Sequence, residues 1–367
     1  MAERRAIGLM SGTSMDGVDV ALIVSDGETV TSFGPSGYRP YSNDERSLLR
    51  QGLADARGMS DRSARPGALA EAERLVTRAH AEAVEQFLKV NSIARDSVDV
   101  IGFHGQTVLH RAEQRLTVQI GDGAALAKTT QIPVVCDLRG ADVAAGGQGA
   151  PLVPVYHRAL IRNAALTPPV CVVNIGGVSN ITFVDGETLL ACDTGPGNAL
   201  IDDFMLRATG EAVDRDGALA AQGRADEAWI AGVLQRPFFS APPPKSLDRN
   251  DFASLQLPDM SNADGAATLT ALTAACVAGI VRHLPRPPAS WIVAGGGANN
   301  PTLMAMLKAR VPGARVETAA TIGWQGDAIE AQAFAFLAIR SLKSLPLTFP
   351  GTTGVAAPQT GGVLAKP

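Results

Sequence analysis

Ser11-Gly12-Thr13-Ser14-Met15-Asp16-Gly17 lies between two apolar runs, residues 6–10 and 18–24, near the start of a 367-residue chain. Glycine at the ends, with hydroxyl and carboxyl side chains between, suits a polar loop that folds one strand back on the next. The unit occurs again. Residues 170–174 are an apolar strand, Ile175-Gly176-Gly177-Val178-Ser179 a turn, and residues 180–184 a return strand. Each copy is followed by mixed strand and helix patterns. The expectation is an α/β fold in two similar halves that flank a central cleft.

The segments between fit that frame. Residues 68–90 place Leu69, Ala72, Leu75, Val76, Ala79, Ala83, Phe87 and Leu88 on one helical face. Residues 98–103 read as a buried strand that delivers His104-Gly105-Gln106-Thr107, and residues 132–136 as another short strand. Residues 266–284 are apolar enough for a long helix. Their Ala and Thr content and the closing Arg282-His283 favour a core helix over a membrane span. Residues 237–258, with Pro242-Pro243-Pro244, read as a surface loop or a lid, and residues 346–367 as an extended tail packed on the surface.

Composition narrows the class of function. Apolar residues make up 46% and charged residues 19%, as in ordinary globular proteins, and the net charge of −4 gives no surface suited to nucleic acid or anionic lipid. Cys136, Cys171, Cys192 and Cys276 form no CxxC pair and sit in apolar stretches, so reduced thiols are expected rather than disulfides or zinc. Residues 1–5 run into a strand with no long apolar stretch, which gives no signal peptide and an expected cytoplasmic location.

Three glycine turns could hold a nucleotide, because phosphate oxygens need backbone N–H groups and an approach free of side chains. The first is Gly12 to Gly17, where Ser11, Thr13 and Ser14 add donors and Asp16 is a candidate Mg2+ ligand. It is neither a Walker A loop nor a GxGxxG fingerprint. The second is Gly176-Gly177, with Asp193-Thr194-Gly195-Pro196-Gly197-Asn198 shortly after. The third is Gly295-Gly296-Gly297, at the end of a buried strand, with Asn300 at an N-cap position and Pro301 opening a helix. Alone, each is equally an ordinary tight connection; their order is the informative feature.

That order resembles the actin, Hsp70 and sugar-kinase superfamily, whose two ribonuclease-H-like domains close over ATP. More closely, Gly12-Thr13-Ser14-Met15-Asp16-Gly17-Val18-Asp19, His104-Gly105-Gln106-Thr107-Val108 and Gly146-Gly147-Gln148-Gly149-Ala150-Pro151-Leu152-Val153-Pro154 resemble the anhydro-N-acetylmuramic acid kinase family. So do Asn174-Ile175-Gly176-Gly177, Asp193-Thr194-Gly195-Pro196-Gly197-Asn198 and Gly326-Asp327-Ala328-Ile329-Glu330-Ala331. The blocks run in order over nearly the whole chain. Two departures stand out: Leu247-Asp248 follows Lys245-Ser246 where the family usually has Thr-Gly, and Gly351-Thr352-Thr353-Gly354 matches the family's Pro-Ser-x-Thr-Gly loosely.

The resemblance implies that water opens the 1,6-anhydro ring of 1,6-anhydro-N-acetylmuramic acid and that ATP, with Mg2+, phosphorylates the freed O6, a step of peptidoglycan recycling. It implies ATP contacts from Gly12, Thr13, Ser14, Met15, Asp16, Gly17, Val18 and Asp19, and from Gly176, Gly177, Gly295, Gly296 and Gly297. Asp193 ends a buried strand beside a glycine turn. From the residues alone it is either a turn-capping carboxylate or a general base, and the resemblance favours the base. Glu330 opens a helix, where an acid also suits the helix dipole; the resemblance gives it the sugar. Arg139 would pair with the lactyl carboxylate of a muramic sugar, and Asp142, Gln106 and Gln148 are its companions in the substrate set. His104 lacks metal-ligand partners, and Lys245 reads as a solvated side chain or a phosphate contact. The expected domains are residues 1–131 with 341–367, and 132–340.

Two rivals stay open at this level. One is another amino-sugar kinase of the superfamily. The other is an actin- or Hsp70-like nucleotide switch, for which no peptide-binding length remains after residue 340. A homodimer is also left open.

Overall fold

The computed structural model describes residues 2–248 and 250–367. In chain order its strands are β1 (Arg4–Met10), β2 (Gly17–Ser25), β3 (Val30–Pro40), β4 (Val100–Phe103), β5 (Gln106–Arg111), β6 (Leu116–Ile120) and β7 (Val134–Cys136), then β8 (Val170–Ile175), β9 (Val178–Asp185), β10 (Thr188–Pro196), β11 (Ser290–Ala294), β12 (Arg315–Thr318) and β13 (Val363–Ala365). They fall into two compact units. The first comprises Met1–Asn163 with Asp327–Pro367, the second Ala164–Gly326.

In the first unit the sheet order is β13-β7-β4-β1-β2-β3. β1, β2 and β3 pair antiparallel, whereas β4 runs parallel to β1 and β7 parallel to β4. β1 and β4 are buried along almost their whole length, as central strands covered on both faces must be. Helix Leu69–Val90 buries Leu75, Val76, Ala79, Val84 and Phe87 in one apolar cluster with Ile7, Leu9, Val20 and Phe103. Helix Ile329–Leu342 is apolar nearly all round and buried nearly all round. It comes so close because Gly8 and Gly102, partners across β1 and β4, offer no side chains where its backbone crosses.

The second unit repeats the plan with the order β10-β9-β8-β11-β12. Here β8, β9 and β10 pair antiparallel, and β11 and then β12 continue in parallel. Three antiparallel strands in hairpin order, followed on the far side of the first by two parallel ones, is the ribonuclease-H-like arrangement, and both units have it. Helix Asn262–Gly279 is buried from Gly265 to Val277. The stretch Asn262–His283 is long and apolar enough to cross a membrane, and 78% of its most apolar window is buried in the protein.

The unit limits differ from those expected at 131/132 and 340/341, for two reasons. β7 adds to the first sheet beside β4, and helix Ile329–Leu342 packs on β1, β2 and β4, so both lie in the first unit. The tail also differs from an extended surface segment. Leu347, Thr348, Thr352, Thr353 and Val355 are buried, and β13 pairs with β7.

Candidate active site

The turn from β1 to β2 is closed by the Met15 N–H donating to the Gly12 carbonyl at 3.2 Å, with Met15 at φ +53°. Met15 and Val18 point into the core, and a Cβ on Gly17 would lie 2.4 Å from the Tyr38 ring. These three residues form the foot of the hairpin. Thr13, Ser14 and Asp16 are exposed at its tip, where the Ser14 hydroxyl donates to Asp16 at 2.8 Å.

Buried Ser11 anchors the tip. Its hydroxyl donates to Gln106 Oε1 at 2.6 Å, and Gln106 Nε2 donates to the Gly12 carbonyl at 3.1 Å. Gln106, expected at the sugar, thus spends its amide on the hairpin. The Ser11 carbonyl lies 3.1 Å from His104 Nδ1. A carbonyl can only accept, so Nδ1 carries the proton and Nε2 is free to accept from Arg139 Nη2 at 3.0 Å. Burial and the Arg139 charge hold His104 neutral, well below the usual imidazole range.

Arg139 also donates from Nη1 to the Gly149 carbonyl at 2.9 Å, while its buried Nε has no partner among the described residues. Burial pulls its pKa down to about 10 against the pull of Glu330 and Asp142. Arg139 and Glu330 line a cavity of about 460 Å³ together with Gly12, Thr13, Ser14 and Gln106. Glu330 is open to that cavity, but the recess strips it of enough water to raise its pKa, offset by Arg139. A guanidinium with a spare donor beside a carboxylate in a polar hollow suits a polar ligand that carries a negative charge.

Asp142 sits elsewhere than expected. It is 2% exposed and its oxygens are occupied. Oδ1 accepts from the Gly149 N–H at 2.6 Å, and Oδ2 accepts from Thr353 at 2.6 Å and from Thr348. The Gln148 N–H donates to the Thr353 carbonyl at 2.7 Å, and His110 Nε2 donates to the Gln148 carbonyl at 2.8 Å, while the Gln148 side chain is exposed. Asp142 therefore ties the Gly146–Gly149 turn to the C-terminal segment. Asp142→Ala should cost about 3 kcal/mol, because three donors lose their acceptor, and a lowered midpoint in urea unfolding would register it.

Asp19, half-buried on β2, has its carboxyl pushed up to about 6 by burial and then by Asp16, Glu330 and Asp327. Asp327 escaped the sequence reading, although it stands three residues before Glu330 in a quoted block. Among the described residues no group of three or more His, Cys, Asp or Glu side chains has a metal-binding arrangement.

In the second unit the other two glycine turns meet. The N–H groups of Gly197 and Asn198, at the start of helix Asn198–Thr209, donate to the carbonyls of Gly177 and Gly176 at 2.9 and 2.7 Å. A Cβ on Gly295, at φ +76°, would lie 2.4 Å from Asn174 Oδ1, and one on Gly297 2.5 Å from Ile175. The Asn300 side chain caps helix Pro301–Arg310 through the Leu303 N–H at 2.9 Å, as its position predicts. Asn174 and Asn198 belong to this cradle and were not singled out from sequence; Asn beside glycine was the available signal.

Asp193 lies in the same unit, where β10 carries a bulge against β9 between Asp193 and Gly195. Bulges re-aim side chains beside functional sites. Burial pushes the Asp193 carboxyl up to about 6, and the Leu247 N–H, donating to Oδ2 at 2.7 Å, pulls the other way. Lys245 is half-buried: its ammonium donates to the Phe238 carbonyl at 2.9 Å and lies 4.6 Å from the centre of the Phe238 ring.

Known proteins bear on this geometry. The family model for anhydro-N-acetylmuramic acid kinase matches residues 4–366. A protein of that name from Nitrobacter winogradskyi is 64% identical over 99% of both chains. Another, from Rhodopseudomonas palustris strain BisB18, is 65% identical over 99% of this chain and 100% of its own. Among solved structures, component A of (R)-2-hydroxyglutaryl-CoA dehydratase from Acidaminococcus fermentans aligns over 92% of this chain and 99% of its own. Its TM-score of 0.47 and 12% identity add nothing to the topology described above. Matched from end to end by that family model and by full-length relatives, this chain belongs to the anhydro-N-acetylmuramic acid kinase family.

Proposed function

We propose that the protein is the cytoplasmic kinase that opens 1,6-anhydro-N-acetylmuramic acid with water and phosphorylates it from ATP, giving N-acetylmuramic acid 6-phosphate in cell-wall recycling. Beyond family membership, the observation that carries this reading is the cavity in which the hairpin tip meets Arg139 and Glu330. The net charge of −4 does not favour nucleic acid or an anionic membrane as a partner.

Each group has a stated task. Asp193 takes a proton from water, whose oxygen bonds to the anomeric carbon as the bond from that carbon to O6 breaks. O6 then bonds to the γ-phosphorus and ADP leaves. The hairpin N–H groups and the hydroxyls of Thr13 and Ser14 hold phosphate oxygens, as do Gly176 and Gly177, while Gly295, Gly296 and Gly297 give a surface free of side chains for the nucleoside. Arg139 takes the lactyl carboxylate, and Glu330 accepts from sugar hydroxyls. Gln148 reaches the sugar from its loop, and Asp142 serves by fixing that loop. Asp16 and Asp19 suit Mg2+, since Asp19 is desolvated beside other carboxylates and a cation relieves that repulsion. When bound, the ion offsets charge on the phosphates.

Incubation with ATP and the anhydro sugar, followed by mass spectrometry, tests the reading. The expected product has gained both the elements of water and a phosphoryl group. A product that has gained phosphate alone, or phosphorylation of free N-acetylmuramic acid only, would overturn it.

A further inference from the structure

The segment that contains Lys245, Ser246 and Leu247 comes alongside β10 at its bulge. The Asp193 N–H donates to the Lys245 carbonyl at 2.9 Å, and the Leu247 N–H donates to Asp193 Oδ2 at 2.7 Å. Residue 193 is thus gripped twice, once by its backbone and once by its carboxylate. No other hydrogen bond to that carboxylate exists among the described residues, so Oδ1 is left open.

The grip is anchored on both sides. Lys245 is held by the Phe238 carbonyl and ring. The Leu247 side chain packs on an apolar cluster that includes Phe239, Phe252, Leu272 and Cys276. An exposed loop would not hold an N–H in place; one wedged between a cation–ring contact and an apolar cluster does.

We propose that Leu247 is a positioning residue for the base: its backbone N–H fixes the Asp193 carboxylate with Oδ1 presented to water and sets the pH above which that carboxylate works. The inference rests on the reading of Asp193 as the base. An N–H donor stabilises the ionised form, so it opposes the effect of burial and keeps Asp193 ionised to a lower pH than its recess alone allows. Among the described residues, Cys192 beside it on β10 is the titratable group that feels Asp193; Lys245 on the segment acts on Cys192, and Cys276 on helix Asn262–Gly279 and Arg282 after it act on Lys245.

The test replaces the Leu247 amide by an ester, keeping the side chain and exchanging the N–H for an oxygen that cannot donate, in the full-length enzyme assayed with ATP, saturating Mg2+ and the anhydro sugar. Lys245→Met, which frees the segment from Phe238 but keeps the N–H, is the second variant. The expected result for the ester is a rise of the acidic limb of kcat/KM by about one pH unit, with kcat lowered about tenfold and the KM for ATP unchanged. Lys245→Met should move the limb the same way by less. A limb that stays in place in the ester overturns the proposal, even if kcat falls, since that is what a merely structural role gives. Asp193→Asn separates the two readings. If it retains turnover, the base assignment fails and this inference with it; if it is inactive while the limb stays fixed in the ester, only the inference fails.

Discussion

Asp193→Asn should lower kcat by about a hundredfold to ten-thousandfold and leave the binding of ATP and sugar nearly unchanged. The amide keeps the shape of the side chain and can still accept the Leu247 N–H through its oxygen, so the bulge and the segment stay in place. What is lost is the capacity to take a proton from water. Because that capacity matters in the transition state and little in the ground state, the loss falls on kcat rather than KM. The wild-type pH profile should agree. A carboxyl at about 6 is the active base only when ionised, so kcat/KM should fall as pH drops through about 6. Asp19 titrates in the same range. Saturating Mg2+ holds Asp19 ionised if it is a ligand, and the limb that then persists reports Asp193. A variant with near-normal kcat, or a wild-type profile flat from pH 7 to pH 5, would remove Asp193 from the role.

What was legible in the sequence was local. The hairpin around Gly12 and its counterpart at Gly176 could be read because a tight polar turn between apolar strands needs glycine at fixed places. The same holds for Asn300 and Pro301, whose cap follows from three adjacent residues. Residue roles that depend on distant partners were not legible. Asp142 was expected at the substrate, but its acceptors are taken by threonines 206 and 211 positions away. Gln106 looked like a sugar contact, yet both ends of its amide meet a hairpin about 95 positions earlier. Lys245 reads as a solvated side chain or a phosphate contact, and the fold brings the Phe238 ring beside its half-buried ammonium. In each case the side chain has the right chemistry for a ligand and also meets a partner within the protein. The domain limits differ for a related reason: helix Ile329–Leu342 has little periodicity to say which sheet it covers, since it is apolar nearly all round.

The helix that carries Glu330 supplies the other large expected effect. Gly8 and Gly102 face each other across β1 and β4, and helix Ile329–Leu342 rests on them. A Cβ on Gly8 would lie 1.7 Å from the Ala331 carbonyl oxygen, and one on Gly102 2.0 Å from the Phe334 carbonyl oxygen. Both obstacles are helix backbone, which cannot rotate aside as a side chain can. One added methyl group must therefore lift the helix or bend the central strands, and overpacking of that kind costs about 3 kcal/mol. Gly8→Ala is expected to lower the urea midpoint strongly, and any folded fraction should show a raised KM for the sugar, because Ala331 is the neighbour of Glu330 in the cavity wall. Gly232→Ala is the control. It lies in helix Glu227–Val233 with nothing within 4 Å of the added methyl, so alanine should be neutral or stabilise by about 0.5 kcal/mol. If Gly8→Ala unfolds at the wild-type midpoint with the wild-type KM, the helix does not press on the paired glycines as described, and the placement of Glu330 loses its physical basis.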